Sequence, residues 1–226
     1  MREQLHIQIL EAISEIQFAY FDNPDPFHVF ELALNYLLSI SQSEFGFIGE
    51  RLQKSDGAPY LKIFSISNIS WNDDARALYA KLMADGMEFA GLNSMLGWIL
   101  LNGKSIVSND PAQHPAASGL SQGHPPLQRF LGLPIFFRDQ FIGLVGLANK
   151  AYAYSDNDIL VLQPLLNTIG NLVNSIRLGR EHEARLKAEE RFRIIFNHSA
   201  DAFFLLEADR VVDCNTTAVK MLRCQN

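Results

Sequence analysis

Cysteine is nearly absent from this chain: of 226 residues only Cys214 and Cys224 are cysteines, both in the last fifteen positions. Neither a disulfide framework nor a cysteine-based zinc cluster is therefore open to the rest of the chain, and a reducing compartment is expected. Charge is modest as well, at 19% of residues with a net value of -6. Nucleic-acid binders carry a basic patch or stripe, so no nucleic-acid partner is expected. No apolar run approaches the roughly 20 residues that cross a bilayer. The start, Met1-Arg2-Glu3-Gln4, lacks the basic-then-apolar order of a signal peptide. A membrane segment is thus not expected, and the cytoplasm is the expected location. No internal repeat or low-complexity tract is visible, and no GxSxG, phosphate-loop or HExxH pattern occurs. What is plentiful is apolar: 48% of residues are hydrophobic and 16 are phenylalanine. That is enough to bury the core of one domain, with chain to spare for a fragment of another.

The most informative stretch is Arg129 to Lys150, RFLGLPIFFRDQFIGLVGLANK. Two nearly all-apolar runs, Phe130 to Phe137 and Phe141 to Leu147, flank the polar turn Arg138-Asp139-Gln140. This predicts a β-hairpin covered on both faces. Pro134 cannot donate to a ladder, which calls for an edge position or a bulge there. Upstream, Leu5, Ile9, Ile13, Ile16 and Tyr20 are spaced for an amphipathic helix over residues 3–21. A second helix starts at Pro26 with Phe27, Phe30, Leu34, Leu37 and Leu38 as its stripe. Phe45 to Leu52 reads as a strand, Ser55 to Pro59 as a turn, and Tyr60 to Ser70 as the antiparallel return. Short helices follow over Asp73 to Ala84 and Ser94 to Asn102, the latter stopped by Gly103. Ser105 to Val107 is a short strand, and residues 108–128 form a loop longer than compact domains usually carry without a function. Ser155-Asp156-Asn157-Asp158 caps a helix expected to run to about Asn197.

The segments Asn109-Asp110-Pro111, Gly123-His124-Pro125-Pro126-Leu127, Phe130-Leu131-Gly132-Leu133-Pro134 and Gly143 to Asn149 resemble GAF domains, the sensor and dimerisation modules of multidomain histidine kinases and diguanylate cyclases. The likeness covers roughly residues 10–178. It implies an α+β fold: a GAF-like antiparallel sheet with helices on one face, a loop and helix insertion covering the other, and a long C-terminal helix. Further on, Phe192 to Phe196, Ser199 to Ala202, Phe203 to Leu206, Val211 to Asn215 and Ala218 resemble the opening of a PAS domain. A PAS domain needs roughly 100 residues, so the chain is expected to be a piece of a longer protein. The expected division is a dimerisation helix at 1–22, the GAF domain at 23–178, a charged linker helix at 179–197 and an incomplete PAS start at 198–226.

The long helix carries a second signal. Leu162, Leu165, Ile169, Leu172 and Ile176 alternate spacings of three and four, the pattern of a coiled-coil or bundle seam. Gly179 and Glu183 then interrupt it, and residues 180–193 hold nine charges of both signs, with Glu183–Lys187 and Glu189–Arg193 spaced to support an exposed helix. Either the stripe packs on the sheet and the rest is a solvated connector, or the helix pairs with its copy. A homodimer through the first and last helices is expected.

Chemistry is sparse. The free methionine sulfoxide reductases, which share the GAF fold, depend on cysteines within the domain, and this chain has none there; a covalently held bilin would need one too. Asp110, His114 and His124 are the residues that could converge on a cation, but they lack the close spacing of ligand motifs. No catalytic residue, metal or cofactor is expected. Asn149-Lys150, Tyr154 and Asp158 resemble the N-K-(x)n-F-x3-D-E motif of cyclic-nucleotide GAF domains, with Tyr for Phe and Ile159 for Glu. The resemblance implies a structural Lys150–Asp158 ion pair, with cyclic-nucleotide binding as an alternative function. For a small-molecule pocket the candidate walls are Phe64, Ile66, Trp71, Met87, Trp98, Asn109, His124, Phe130 and Phe136. A ligand-free spacer whose own aromatics fill that space is the competing reading.

Overall fold

The structure is a computed structural model that describes residues 2–22, 25–67, 88–117, 124 and 126–222. The helix expected over Asp73 to Ala84, the end of the strand expected to reach Ser70, and Trp71, Met87 and Cys224 lie outside the described residues. The chain divides into two compact units, Met1–Ser175 and Ile176–Asn226.

The first unit opens with helix α1 (Arg2–Asp22) and helix α2 (Pro26–Ser41). Asp25 caps α2 by accepting from the Phe27 amide at 3.2 Å, Pro26 supplies a φ already suited to the first turn, and Gln42 ends the helix at φ 57°. The helices pack together, and the Tyr36 phenol donates to the Glu15 carboxylate, a bond that pushes its pKa up to about 12. Six strands then form one antiparallel sheet: β1 (Phe45–Gln53), β2 (Pro59–Ile66), β3 (Glu88–Phe89), β4 (Ile106–Ser108), β5 (Phe130–Phe137) and β6 (Gln140–Ala148). Their order is β3-β2-β1-β6-β5-β4. Helix α3 (Met95–Asn102) lies between β3 and β4 in sequence, capped by Ser94, whose hydroxyl accepts from Gly97 N, and ended at Gly103. The expected β5–β6 hairpin is present with a two-residue turn, Arg138–Asp139. Pro134 satisfies both sequence readings: β4 pairs only with Phe130 to Gly132, so the outer edge of β5 at Pro134 has no described partner, and the register shifts between Ile135 and Phe136.

The faces of the sheet differ. On one, Phe30 of α2 stacks on Phe64 at 4.2 Å, and Leu131, Leu133, Ile135, Val145 and Leu147 are buried. Helix α4 (Asp156–His198) crosses β5 on this face. Its Gly170 lies so close that an added Cβ would sit 2.4 Å from the Phe136 carbonyl oxygen. The opposite face carries α3 and an apolar cluster of Leu61, Ile63, Ile99, Leu100, Phe130 and Leu144. This is the α+β arrangement expected, with helices on one face and an insertion on the other.

The expected seam on α4 is corrected in one respect. Leu162, Leu165, Ile169, Leu172 and Ile176 are all buried within a single chain, because a three-four stripe satisfies a sheet as well as a second helix. They are not offered to a partner; Leu160 and Leu178 are the exposed leucines of that stretch. By length and composition alone α4 contains a window apolar enough to cross a membrane, and half of that window is buried in the protein, as in a helix that packs in a core.

In the second unit α4 ends, strands β7 (Phe204–Glu207) and β8 (Arg210–Cys214) pair as a hairpin, and helix α5 (Thr216–Leu222) follows. Asn215 is fully buried. Its side chain accepts from the amides of Phe203 and Ala218 at 3.0 and 2.9 Å and donates to the carbonyls of Phe196 and Asp201, both at 2.8 Å. Leu205, Leu206, Val211 and Val212 remain exposed on the hairpin.

Two glycines of α4 provide opposite tests. Gly170→Ala forces a methyl group into main chain and should destabilise the protein by about 1–3 kcal/mol. Gly179 has no atom within 4 Å of its added Cβ, so Gly179→Ala should strengthen the helix by about 1 kcal/mol. Urea unfolding followed by circular dichroism checks both signs; equal effects would contradict the close α4–β5 packing.

Candidate functional site

The insertion face is the place where the sequence predicts a pocket. Phe130 is buried in its apolar cluster, and Ile66 packs against the edge of it. Phe64 does not belong there: its ring stacks on Phe30 and faces the helices. Trp98 is partly exposed on α3, and Phe136 is exposed beside Phe141, ring centroids 5.6 Å apart. His124 meets Phe45 edge to face at 6.3 Å. The candidates are therefore divided between two faces and the surface. The described part of the insertion face is packed with the chain's own side chains. Space left by the missing Cβ atoms of Gly132 and Gly146 is filled by Ile99 and by the Phe47 ring, which stand 2.2 and 2.3 Å from where those atoms would be. Among the described residues no buried side-chain nitrogen or oxygen lacks a hydrogen-bond partner. Nor do three metal-binding side chains converge among them; His114 uses its Nδ1 to accept from the Ala116 amide at 3.1 Å.

The polar residues gather instead at the corner between β6 and α4. Residues 149–155 belong to neither strand nor helix, so their main-chain groups need other partners. Asn149, at φ 58°, takes the left-handed conformation that asparagine tolerates. Its side chain accepts from the Gln128 amide at 2.8 Å and donates to the Pro126 carbonyl at 2.9 Å and to Glu44 at 3.2 Å. The Arg129 guanidinium donates to the Lys150 carbonyl at 3.0 Å. Asn109 is committed here and not to a pocket: its side chain accepts from Tyr154 N at 2.8 Å and donates to Tyr154 O at 3.0 Å. The buried Tyr154 hydroxyl shares a 2.7 Å bond with Ser43, which shares another of 2.7 Å with Ser41.

The Lys150 ammonium pairs with Asp158 Oδ1, while Asp158 Oδ2 accepts from the amide and hydroxyl of Ser155 at 2.8 and 3.0 Å. Burial alone would raise the Asp158 pKa, but the hydrogen bonds from Lys150 and Ser155 outweigh it and hold the carboxyl below its ordinary value. Burial pushes the Tyr154 phenol up, opposed by the Ser43 bond. Sequence reasoning reached Lys150 and Asp158 but missed Ser41, Ser43 and the hydroxyl of Tyr154. The available signal was the Tyr where the cyclic-nucleotide motif has Phe, since that one oxygen needs a buried partner.

Comparison with known proteins places these features in a family. The family described as GAF domain matches residues 25–174, and that described as PAS domain matches residues 190–225. Among solved structures, the GAF domain of a phosphoenolpyruvate-protein phosphotransferase from Coxiella burnetii is similar at a TM-score of 0.59 and 14% identity, over 79% of this chain and 98% of that one. The corresponding Acinetobacter domain is similar at 0.60 and 13%, over 79% and 97%. A free methionine-R-sulfoxide reductase from Neisseria meningitidis is similar at 0.55 and 13%, over 76% and 91%. At these identities the likeness concerns the fold alone.

The low folded-state pKa of Asp158 gives a pH test. Its ordinary unfolded value is about 3.9, so the stabilisation is fully present above that pH and is lost as the pH falls through the lower folded value. Asp158→Asn should cost about 2 kcal/mol at neutral pH and flatten part of the acid limb of Tm against pH. Calorimetric melts from pH 2 to 7 check this, and an unchanged acid limb would remove the pair from the stabilising interactions.

Proposed function

The chain belongs to the GAF domain family, and from that premise we propose that it is a non-catalytic sensory and dimerisation module that relays the state of its sheet through α4 to a signalling output. The observation that carries this reading is the continuity of α4. It starts at a corner fastened to several parts of the sheet domain, and it runs unbroken from Asp156 to His198, past Ser175 where the first unit ends and into the residues matched by the PAS family. A helix with one end anchored and the other in a second signalling module suits transmission better than catalysis. The two cysteines lie outside the GAF match, which argues against the reductase chemistry of the Neisseria meningitidis protein. In a longer protein the output is of the histidine kinase or diguanylate cyclase type, and the location is cytoplasmic.

Dimerisation is assigned to the surfaces that one chain leaves open. On α1, Ile9, Ala12 and Ile16 are buried, whereas Ile7, Leu10, Phe18 and Phe21 on the opposite side are exposed. Those four fall within one narrow stripe at 100° per residue, as expected of a helix that packs on two sides. Leu160 and Leu178 lie 18 residues apart on α4, about five full turns, and so share one of its faces. The partner is a second copy, joined through α1 and the exposed face of α4.

The input is a small, largely apolar molecule admitted at the insertion face, acting by its difference in affinity between two arrangements of α3 and the neighbouring loops. The ligand-free spacer is the second reading, and the filled space at Gly132 and Gly146 favours it. Cyclic-nucleotide binding is weaker, because Tyr154, Lys150 and Asp158 are all engaged in holding the corner.

Native mass spectrometry separates these readings. The expected result is a dimer carrying a small molecule released on denaturation; a dimer with nothing bound at any concentration of added extract supports the spacer. Leu10→Glu with Phe18→Glu, at side chains 66% and 71% exposed, should convert the dimer to a folded monomer. Light scattering that still reports a dimer would overturn the α1 assignment.

A further inference from the structure

We infer that Tyr154 is a mechanical joint tying edge strand β4 and the α2–β1 corner to the first turn of α4, so that loosening either connection loosens the start of α4. This deepens the relay reading by naming the residue that couples sheet to helix. Its existence, however, is a matter of geometry and is tested without any input or output.

Three connections meet at this residue. Asn109 directly follows Ser108, the last residue of β4, and brackets the Tyr154 main chain with bonds of 2.8 and 3.0 Å. A side chain thus stands where a strand partner would. The phenol reaches through Ser43 to Ser41, whose hydroxyl also lies 3.4 Å from the carbonyl of Leu38 in the last turn of α2. The next residue, Ser155, is fastened to Asp158 through its amide, its hydroxyl and its own carbonyl, which accepts from Asp158 N at 3.0 Å. Asp158 in turn holds Lys150, so the two ends of the corner are pinned to each other.

This arrangement behaves differently from a ladder. In a sheet or helix each residue's bonds are backed by those of its neighbours, and losing one leaves the rest in register. At Tyr154 the two main-chain bonds both come from one side chain, that of the residue next to an edge strand that joins the sheet through only three residue pairs. Displacement of β4 therefore acts on Tyr154 with no intervening main-chain ladder, and from Tyr154 it acts on the turn where the helix begins.

Hydrogen exchange with mass spectrometry on the whole chain tests the joint. Asn109→Ala should accelerate exchange of residues 106–108 and of the first turn of α4 together, several-fold, as loss of one or two net hydrogen bonds implies. Tyr154→Phe, which removes a single oxygen, should accelerate the first turn of α4 and residues 41–45. As a control, Asp56→Ala removes the 2.9 Å bond to the Ala58 amide in the β1–β2 turn and should leave α4 unchanged. The inference is overturned if Asn109→Ala loosens β4 alone, or if Asp56→Ala loosens α4 to the same degree. Should Asn109→Ala fail to fold, Tyr154→Phe decides by the same criterion. Failure of the relay reading would show separately, as a chain without dimer or ligand whose joint nonetheless behaves as stated.

Discussion

Between the last strand of the sheet and the long helix the chain has no ladder to hold it, and the side chains that replace the ladder govern everything beyond. Asn109, Arg129 and Asn149 supply bonds that strands or helices supply elsewhere, and Asp158 closes the corner against Lys150 and Ser155. Lys150, Tyr154 and Asp158 are largely shielded from water. Removing one partner there would strand another with little solvent to replace it, at a cost of about 1–3 kcal/mol for each orphaned group. Fully satisfied, such a network is stiff; partly satisfied, it is worse than an apolar core. The start of α4 is fixed on these terms. A second fixed point comes 14 residues later, about 21 Å along the axis, where Gly170 lets the helix touch the Phe136 main chain. Two points so far apart set both the direction and the rotation of the helix on the sheet.

The two faces of that sheet meet different demands. The helical face is closed by large apolar side chains and by the Phe30–Phe64 stack. The insertion face is built from smaller pieces, with glycines on the strands and Ile99, Phe47 and Phe130 reaching over them. Glycine strands leave room for neighbouring side chains, here the branched Ile99 and the rings of Phe47 and Phe130, and a ligand that displaced one of these would need little change in the strands themselves. Such an exchange would move α3 and β4 while leaving the central strands in register. The edge strand is the part of the sheet bound to the corner through Asn109. Under the proposed relay, this is the connection through which a change at the insertion face would reach the start of α4.

Much of this was legible in the sequence because the strongest signals are local. The β5–β6 hairpin, the start of α2 at Pro26, the stop at Gly103 and the start of α4 all follow from residues within a few positions of one another. Lys150 and Asp158 could be named for the same reason. Asn109 could be singled out as a polar residue in an informative segment, but not assigned a partner 45 positions away. Ser43, 111 positions from Tyr154, gave no signal at all. Phe64 was misplaced because a one-residue irregularity in the β1–β2 pairing, between Ile48 and Gly49, decides which face a β2 side chain takes. A slip of that kind inverts the alternation and leaves no trace in composition.

The α4 stripe shows the same limit from another side. Spacing of three and four reports that one side of a helix is covered, and it is silent on what covers it. Here the chain itself does so, and the stripe from Leu162 to Ile176 is buried without a second copy. Helix α1 is the more telling case, because its apolar residues exceed what one face can hold. Ile9, Ala12 and Ile16 turn inward, and Ile7, Leu10, Phe18 and Phe21 turn outward with only the small Ser14 among them. A helix that merely covered a sheet would be polar on its outer side. Four large apolar residues in line on that side are more than such a helix needs, and this surplus is what supports the proposed pairing of α1 with a second copy. The choice of α1 over the buried α4 seam thus follows from counting which apolar positions the fold leaves uncovered, a quantity that periodicity alone does not contain.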